Sequence, residues 1–285
     1  MNRSDFRTLE RLRVRWVEVD LQKVVFNGHY LTYFDIAMAG YWRANAMPYA
    51  QTMEHFDGDL FVRKASVDYL GSARYDDLLD IGIRCTRIGT SSVLFSGAAF
   101  LQDRLIATCE LVYVFTTAQA PTPQPVPPAL RTALEAYEAG EAMFEVRLGT
   151  WGELGAVAQS IRTEVFIDEQ KIPAALEWDA ADAHAVHAVA FNRFGRPLST
   201  GRLLAYGPRV ARIGRMATCQ AVRGGGLARA VLDALTGAAK HRGDSEVLLH
   251  AQVSAQAFYA RAGFVPRGPV FEEAGIAHIE MARTL

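Results

Sequence analysis

The chain has 285 residues, half of them hydrophobic and 21% charged, a balance that excludes a disordered or fibrous chain and a length that suits two domains of roughly 100 to 200 residues each. Lys plus Arg number 30 against 31 for Asp plus Glu, split 13 against 14 over residues 1–120 and 17 against 17 beyond, so neither half carries the positive footprint that nucleic acid or an anionic membrane requires. Cys85, Cys109 and Cys219 lie far apart without C-x-x-C spacing, which excludes an evident zinc site or disulfide framework. The N-terminus is polar and no window of about 18 residues is continuously apolar, so the expected location is the cytoplasm. Leu12 to Val19 alternates as a strand would, and His29 to Ala46 follows as a helix with Tyr30, Phe34, Met38 and Tyr41 on one stripe. Strands are expected at Phe61 to Leu70, Leu78 to Thr86, Ser92 to Leu101 and Leu105 to Phe115, with a hairpin at Asp103-Arg104. One long helix against a meandering antiparallel sheet is an α+β layer.

Ala118 to Pro128 holds five of the eleven prolines and reads as an extended, semi-rigid linker. Ala129 to Ala142 is rich in helix formers and reads as a short connecting helix, which puts the domain boundary near residue 142 and the domains at 1–142 and 143–285. Beyond it come a strand at Phe144 to Leu148, a helix at Leu154 to Phe166, two strands about the Asn192 to Arg196 turn, and a strand at Val210 to Thr218. A helix at Gly226 to Lys240, a strand at Glu246 to Ala251, a helix at Ala255 to Arg261 and closing strands complete a separate α/β unit.

Two segments concentrate chemistry. In Arg15 to Tyr33 (RWVEVDLQKVVFNGHYLTY) a strand ends in the carboxylate of Asp20 and a short turn leads into the long helix. The helix start has unpaired N–H groups and about half a positive charge, able to polarise a carbonyl, while Asp20 is able to attack or to activate water. The same residues serve equally as turn and cap residues. In Met216 to Leu235 (MATCQAVRGGGLARAVLDAL) a strand runs through Gly224, Gly225 and Gly226 into a helix, which lets the backbone approach an anion closely. The run lacks the Lys-Ser/Thr ending of a triphosphate loop and the spacing of a dinucleotide loop, and a glycine-softened turn without a ligand is the plain alternative.

Glu18-Val-Asp20, Val24 to Tyr30 (VVFNGHY), Asp68-Tyr69-Leu70 and Ala73 to Asp77 (ARYDD) together resemble the hotdog-fold acyl-CoA thioesterases of the YbgC/FadM and 4-hydroxybenzoyl-CoA thioesterase group, over roughly residues 8 to 140. The resemblance implies hydrolysis of an acyl-CoA thioester, with Asp20 as nucleophile or general base and Asn27, Gly28 and His29 at the helix start that polarises the thioester carbonyl. It also implies pairing of hotdog domains into a homo-oligomer. Lys23 departs from the family, which usually has glycine there for an unusual backbone conformation.

Arg223-x-x-Gly226-x-Ala228 resembles the acetyl-CoA motif of the GNAT N-acetyltransferases. Val165 to Gln170, Leu249 to Gln252, Phe258 to Phe264 and Phe271 to Met281 are similar to its ElaA/YjcF-like branch over about residues 143 to 285. This resemblance implies acetyl transfer from acetyl-CoA to an amine. The backbone at Arg223, Gly224, Gly225, Gly226, Leu227 and Ala228 would hold the pyrophosphate, and the strand end at Met216, Ala217 and Thr218 would bind the pantetheine arm. Tyr259 would protonate the departing thiolate, although it serves equally as core packing beside Phe258 and Phe264. His187, His250, Glu169 and Glu177 are open candidates for the base.

Together the two resemblances imply a bifunctional enzyme whose substrates are acyl-CoA, acetyl-CoA and an amine, without a tightly bound cofactor or metal. The alternative is that one domain is a catalytically weak CoA-ligand sensor or oligomerisation module.

Overall fold

The computed structural model of the chain describes residues 1–118 and 122–285, so Pro121 of the proline run lies outside it. The chain forms two compact units, Met1–Met143 and Phe144–Leu285.

In the first unit, β1 (Leu9–Arg13) is followed by α1 (His29–Ala44), α2 (Tyr49–His55), β2 (Gly58–Tyr69), β3 (Leu78–Ile88), β4 (Ser92–Leu101), β5 (Arg104–Thr117) and α3 (Pro128–Glu138). The strands make one antiparallel sheet in the order β1-β3-β4-β5-β2. α1 buries Tyr30, Tyr33, Phe34, Ala37, Met38, Tyr41 and Trp42, the i, i+3, i+4 stripe that a helix lays on a sheet. Gly97 of β4 allows this close approach, because a Cβ there would stand 2.9 Å from the Phe34 ring and 2.6 Å from Cys109 Sγ. Phe34 is fully buried, and truncating it to Ala should cost about 3–5 kcal/mol.

Two local expectations differ from the structure. The strand expected at Leu12 to Val19 ends at Arg13, and Trp16–Glu18 is a 3-10 turn. The apolar alternation there does not mark a half-buried strand, since Trp16 and Val17 are about three-quarters exposed, while the Glu18 carboxylate closes the turn by accepting the Arg15 N–H at 2.7 Å. The hairpin turn is Gln102-Asp103, with Arg104 already paired to Leu101.

The linker reading also needs correction. Past the undescribed residues the proline segment lies on the sheet, with Gln124 N–H donating to Phe115 O at 2.9 Å, Val126 N–H to Thr90 O at 2.8 Å, and the Val126 side chain buried. α3 buries Leu130, Ala133, Leu134 and Tyr137. Its Glu138 accepts from the Tyr41 hydroxyl at 2.8 Å and from Cys85 N–H at 2.7 Å, so α3 is part of this unit's core.

The second unit runs β6 (Phe144–Gly149), α4 (Trp151–Arg162), α5 (Ala174–Glu177), β7 (Val186–Asn192), β8 (Pro197–Gly207), β9 (Val210–Thr218), α6 (Leu227–Arg242), β10 (Glu246–Gln252), α7 (Gln256–Arg261), β11 (Val265–Glu273) and β12 (Ile276–Thr284). Its sheet has the order β11-β12-β10-β9-β8-β7-β6. α4 starts three residues before its expected position, where Thr150 N–H donates to Glu153 Oε2 at 2.8 Å, the exchange of a capping box. It ends at Arg162, and the chain widens into a π-helical turn over Thr163–Glu169 in place of the expected helix end at Phe166. Every neighbouring pair of strands is antiparallel except β9 and β10, which run parallel.

Candidate active sites

In the first unit the backbone lays Glu18 to Asp20 beside Val24 to Phe26, the segment that leads into α1. Asp20 N–H donates to Val24 O at 2.9 Å, Val19 bridges Val25, and Phe26 N–H donates to Glu18 O at 2.9 Å. Asp20 is half-buried, and its Oδ1 accepts the Gln22 N–H at 2.7 Å. Lys23 turns the chain with a φ of 62°, in the left-handed region where the expected glycine would sit without strain. Asn27 is exposed and its carbonyl accepts from the Tyr69 hydroxyl at 2.9 Å; half-buried His29 lies edge-on to Phe26, and its N–H is already given to Phe26 O. His29 N–H is therefore not a free polarising group, whereas the Asn27 and Gly28 N–H groups make no hydrogen bond among the described residues. Among the described residues no hydrogen bond joins the side chains of Asp20, Asn27 and His29.

Glu18 holds this loop, a role that local pattern did not single out. It is 2% exposed, and it accepts from the Arg15 side chain at 2.8 and 2.6 Å and from the Tyr33 hydroxyl at 2.8 Å. Burial alone would raise its carboxyl, but these bonds and the Arg15 N–H outweigh that and hold it below the usual carboxylate value.

In the second unit β9 and β10 pair only from Val210 and Glu246 to Arg212 and Leu248, although β9 continues to Thr218 and β10 to Gln252. The opening is accompanied by a bulge in β9, where Arg215 has a φ of 52° and the register with β8 shifts. A cavity of about 340 Å³ occupies this part of the unit, bordered by Phe166, Leu176, Glu177, Arg212, Met216, His250, Tyr259 and Glu273 among others. Tyr259 is 8% exposed, and burial pushes its phenol up to about 12, so it holds its proton at neutral pH.

Beyond β9 the glycine run Gly224 to Gly226 leads into α6. Gly224 and Gly226 have φ of 86° and 89°, and Gly226 caps α6, whose 16 residues direct their dipole's positive end outward. Leu227 is buried and Ala228 half-buried behind the first turn, while Ala217 is buried and Thr218 Oγ1 shares a hydrogen bond of 2.7 Å with Ser199. The Arg223 guanidinium turns back from the glycine run. It donates to Thr218 O at 3.0 Å and pairs two-pronged with Glu169 at 2.7 and 2.5 Å, tying the π-helical turn to the end of β9.

The four base candidates separate on contact. Glu169 is committed to Arg223, which lowers its carboxyl. His187 is buried and does not border the cavity; its Nε2 lies 2.9 Å from Asp182 O, and burial lowers its ring. Glu177 does border the cavity, and burial raises its carboxyl, yet its oxygens meet Arg162 Nε at 2.5 Å and Arg215 Nε at 3.3 Å. Arg162 and Glu177 are 1% and 3% exposed, so protonating Glu177 would leave a buried guanidinium with a lost partner. His250 borders the cavity with Tyr259. Arg212 and Glu273 carry no local signal in the sequence, because they converge with His250 from separate strands. Among the described residues no cluster of three or more His, Cys, Asp or Glu is arranged to hold a metal ion, and no helix is long and apolar enough to cross a membrane.

The family model described as the thioesterase superfamily matches residues 22–108, and that described as the acetyltransferase (GNAT) domain matches residues 152–285. The uncharacterised N-acetyltransferase YjcF of Bacillus subtilis is 32% identical over 127 residues, covering 43% of this chain and 87% of that protein. An acyl-CoA N-acyltransferase crystal structure from Pseudomonas aeruginosa is 35% identical, covering 49% of this chain and 99% of that one with a TM-score of 0.45. A thioesterase from Thermus thermophilus, complexed with coenzyme A and Zn, is 24% identical, covering 47% and 96% with a TM-score of 0.42. The chain belongs, through its second unit, to the GNAT acetyltransferase family, and its first unit is a hotdog domain of the thioesterase superfamily.

Proposed function

We propose that the chain is a bifunctional enzyme of CoA thioesters, hydrolysing acyl-CoA in the hotdog unit and transferring acetyl from acetyl-CoA to an amine in the GNAT unit. The observation that carries the transferase half of this reading is the opening between β9 and β10, with protonated Tyr259 at the cavity and the Gly224–Gly226 turn at the head of α6. The pantetheine arm lies along Met216 to Thr218, the pyrophosphate meets the first N–H groups of α6, and the Tyr259 hydroxyl gives its proton to the leaving thiolate. In the hotdog unit the Asn27 and Gly28 N–H groups polarise the thioester carbonyl, and Asp20 attacks it or activates water. Acyl-CoA and acetyl-CoA are substrates, and no tightly bound cofactor is needed. β2 is an edge strand with Phe61 and Val62 about half exposed, which supports pairing of two hotdog units into a homo-oligomer.

Two assays on the purified chain test the two activities: CoA release from a panel of acyl-CoAs without amine, and acetyl transfer to spermidine, lysine, glycylglycine and tyramine. Asp20→Asn keeps the shape and removes the charge, so it should abolish the first and leave the second intact; hydrolysis at the wild-type rate would refute the role of Asp20. The left-handed Lys23 favours a second reading, in which the hotdog unit binds acyl-CoA without turnover as a sensor or oligomerisation module. Saturable acyl-CoA binding with no CoA release would support that reading.

A further inference from the structure

His250 Nδ1 lies 2.9 Å from Arg212 Nη2 on β9 and 3.2 Å from Glu273 Oε2 on β11. These contacts need opposite states of the ring. A guanidinium has only protons to offer, so Arg212 requires a lone pair on Nδ1, whereas the Glu273 carboxylate requires a proton there. The neutral ring, with its proton on Nε2, satisfies Arg212; the doubly protonated ring satisfies Glu273 and has its charge neutralised.

The surroundings fit a ring that changes between these states. On β12, Glu280 Oε2 stands 3.9 Å from His250 Nε2, while its other oxygen is held by Arg267 at 2.5 Å, so it faces Nε2 without capturing it. The Phe271 ring packs edge-on against His250 at 4.8 Å and fixes its plane. About a quarter of the side chain is exposed, and it borders the same cavity as Tyr259. The other histidine at this cavity, His278, has Nδ1 at 2.8 Å from Ile276 O and stacks on Phe271.

We propose that His250 is the general base of acetyl transfer, its Nδ1 taking the proton of the acceptor ammonium and passing from Arg212 to Glu273 as it does so. The assignment rests on the acetyltransferase reading above. The ammonium gives one proton to Nδ1, and the neutral nitrogen then attacks the thioester carbonyl, forming the C–N bond. Collapse of the adduct breaks the C–S bond. The sulfur takes the Tyr259 proton, the phenolate recovers the surplus proton from the nitrogen of the new amide, which keeps its N–H, and His250 releases its own to water.

The test joins two measurements on the full chain. In 15N NMR, with the ring signals identified by their loss in His250→Gln, the neutral ring should carry its proton on Nε2. Glu273→Gln should lower the titration midpoint of the ring, and Arg212→Met should raise it. In the transfer assay, with whichever amine of the panel is acetylated fastest, His250→Gln should lose about 10²-fold or more in rate and flatten the rise of rate with pH, with acetyl-CoA affinity unchanged. That rise should persist in His278→Gln. Wild-type transfer with an unimpaired His250→Gln variant, the pH limb lost in His278→Gln instead, or a His250 midpoint that neither Glu273→Gln nor Arg212→Met moves, overturns the assignment while leaving the acetyltransferase reading standing. Absence of transfer to every amine by the wild-type chain overturns that reading, and the base with it.

Discussion

The Tyr33 hydroxyl donates to Glu18 Oε2 over 2.8 Å, with both side chains no more than 2% exposed, and so ties α1 to the loop that presents Asp20 two residues further on. A hydrogen bond to a buried charged group contributes about 1.5–3 kcal/mol. Tyr33→Phe should therefore destabilise the first unit by about that amount and slow acyl-CoA hydrolysis, because Asp20 loses the brace beneath it. Chemical denaturation followed by circular dichroism measures the first effect and CoA release the second; an unchanged midpoint and rate would show that the loop is held elsewhere.

Lys23 occupies a left-handed position that costs an L-residue about 1–2 kcal/mol, against the entropic cost of about 0.5–1 kcal/mol that a glycine carries. Lys23→Gly should thus be neutral to stabilising by about 1 kcal/mol and keep hydrolysis, while Lys23→Val should destabilise. Thermal melts of the three proteins give the order, and a Lys23→Gly protein less stable than wild type contradicts it.

On the proposed acetyltransferase reading, Gly226 and Tyr259 separate binding from chemistry in the second unit. A Cβ at Gly226 meets nothing within 4 Å, so Gly226→Val is penalised by its φ of 89° and by the approach of the pyrophosphate. Calorimetry should show weakened acetyl-CoA binding in that variant. Tyr259→Phe removes only a hydroxyl, and should bind acetyl-CoA as wild type does but transfer its acetyl group about 10² to 10⁴-fold more slowly. Full-speed transfer would make Tyr259 a packing residue.

Asp179 pairs two-pronged with Arg202 at 2.6 and 2.7 Å, and those hydrogen bonds hold its carboxyl down from 3.8 to about 2. A depressed carboxyl stabilises the folded state above its unfolded pKa, and that stability is lost as pH falls through the folded value. Between about pH 4 and pH 2 the second unit should lose about 1 kcal/mol from this group, after discounting for its partly exposed side chain. Asp179→Asn should show a shallower acid dependence over that window in denaturant titrations at several pH values.

Cutting the chain after Met143 should leave two folding pieces, since each unit has its own sheet and core. Cooperative far-UV melting of both fragments is the expected result; two unfolded fragments would refute it.

The long helix, β4 and the Gly224–Gly226 turn into α6 were legible in the sequence because their signals are local: a 3.6-residue apolar stripe, a run bounded by turn residues, and a glycine series before a helix. α2 and α5 were not, since seven- and four-residue helices carry too few turns for a period to emerge. The apolar alternation through Trp16 suggests a strand where side-chain bonding from Glu18 makes a turn, and the proline run suggests an extended, semi-rigid linker where Val126 and α3 find a core to bury against.

The same division runs through the sites. The sequence by itself determined which residues stand at the helix starts, Asn27 and Gly28 before α1 and Gly226 before α6, because chain neighbours share a turn whatever the tertiary arrangement. Only the tertiary structure decided that Glu177 is committed to Arg162, that Arg223 reaches Glu169 instead of the glycine run, and that Arg212 and Glu273 meet at one nitrogen of His250. Those partners are brought together by strand order and sheet opening, so their charges act on one another through distances in space that no spacing along the chain encodes.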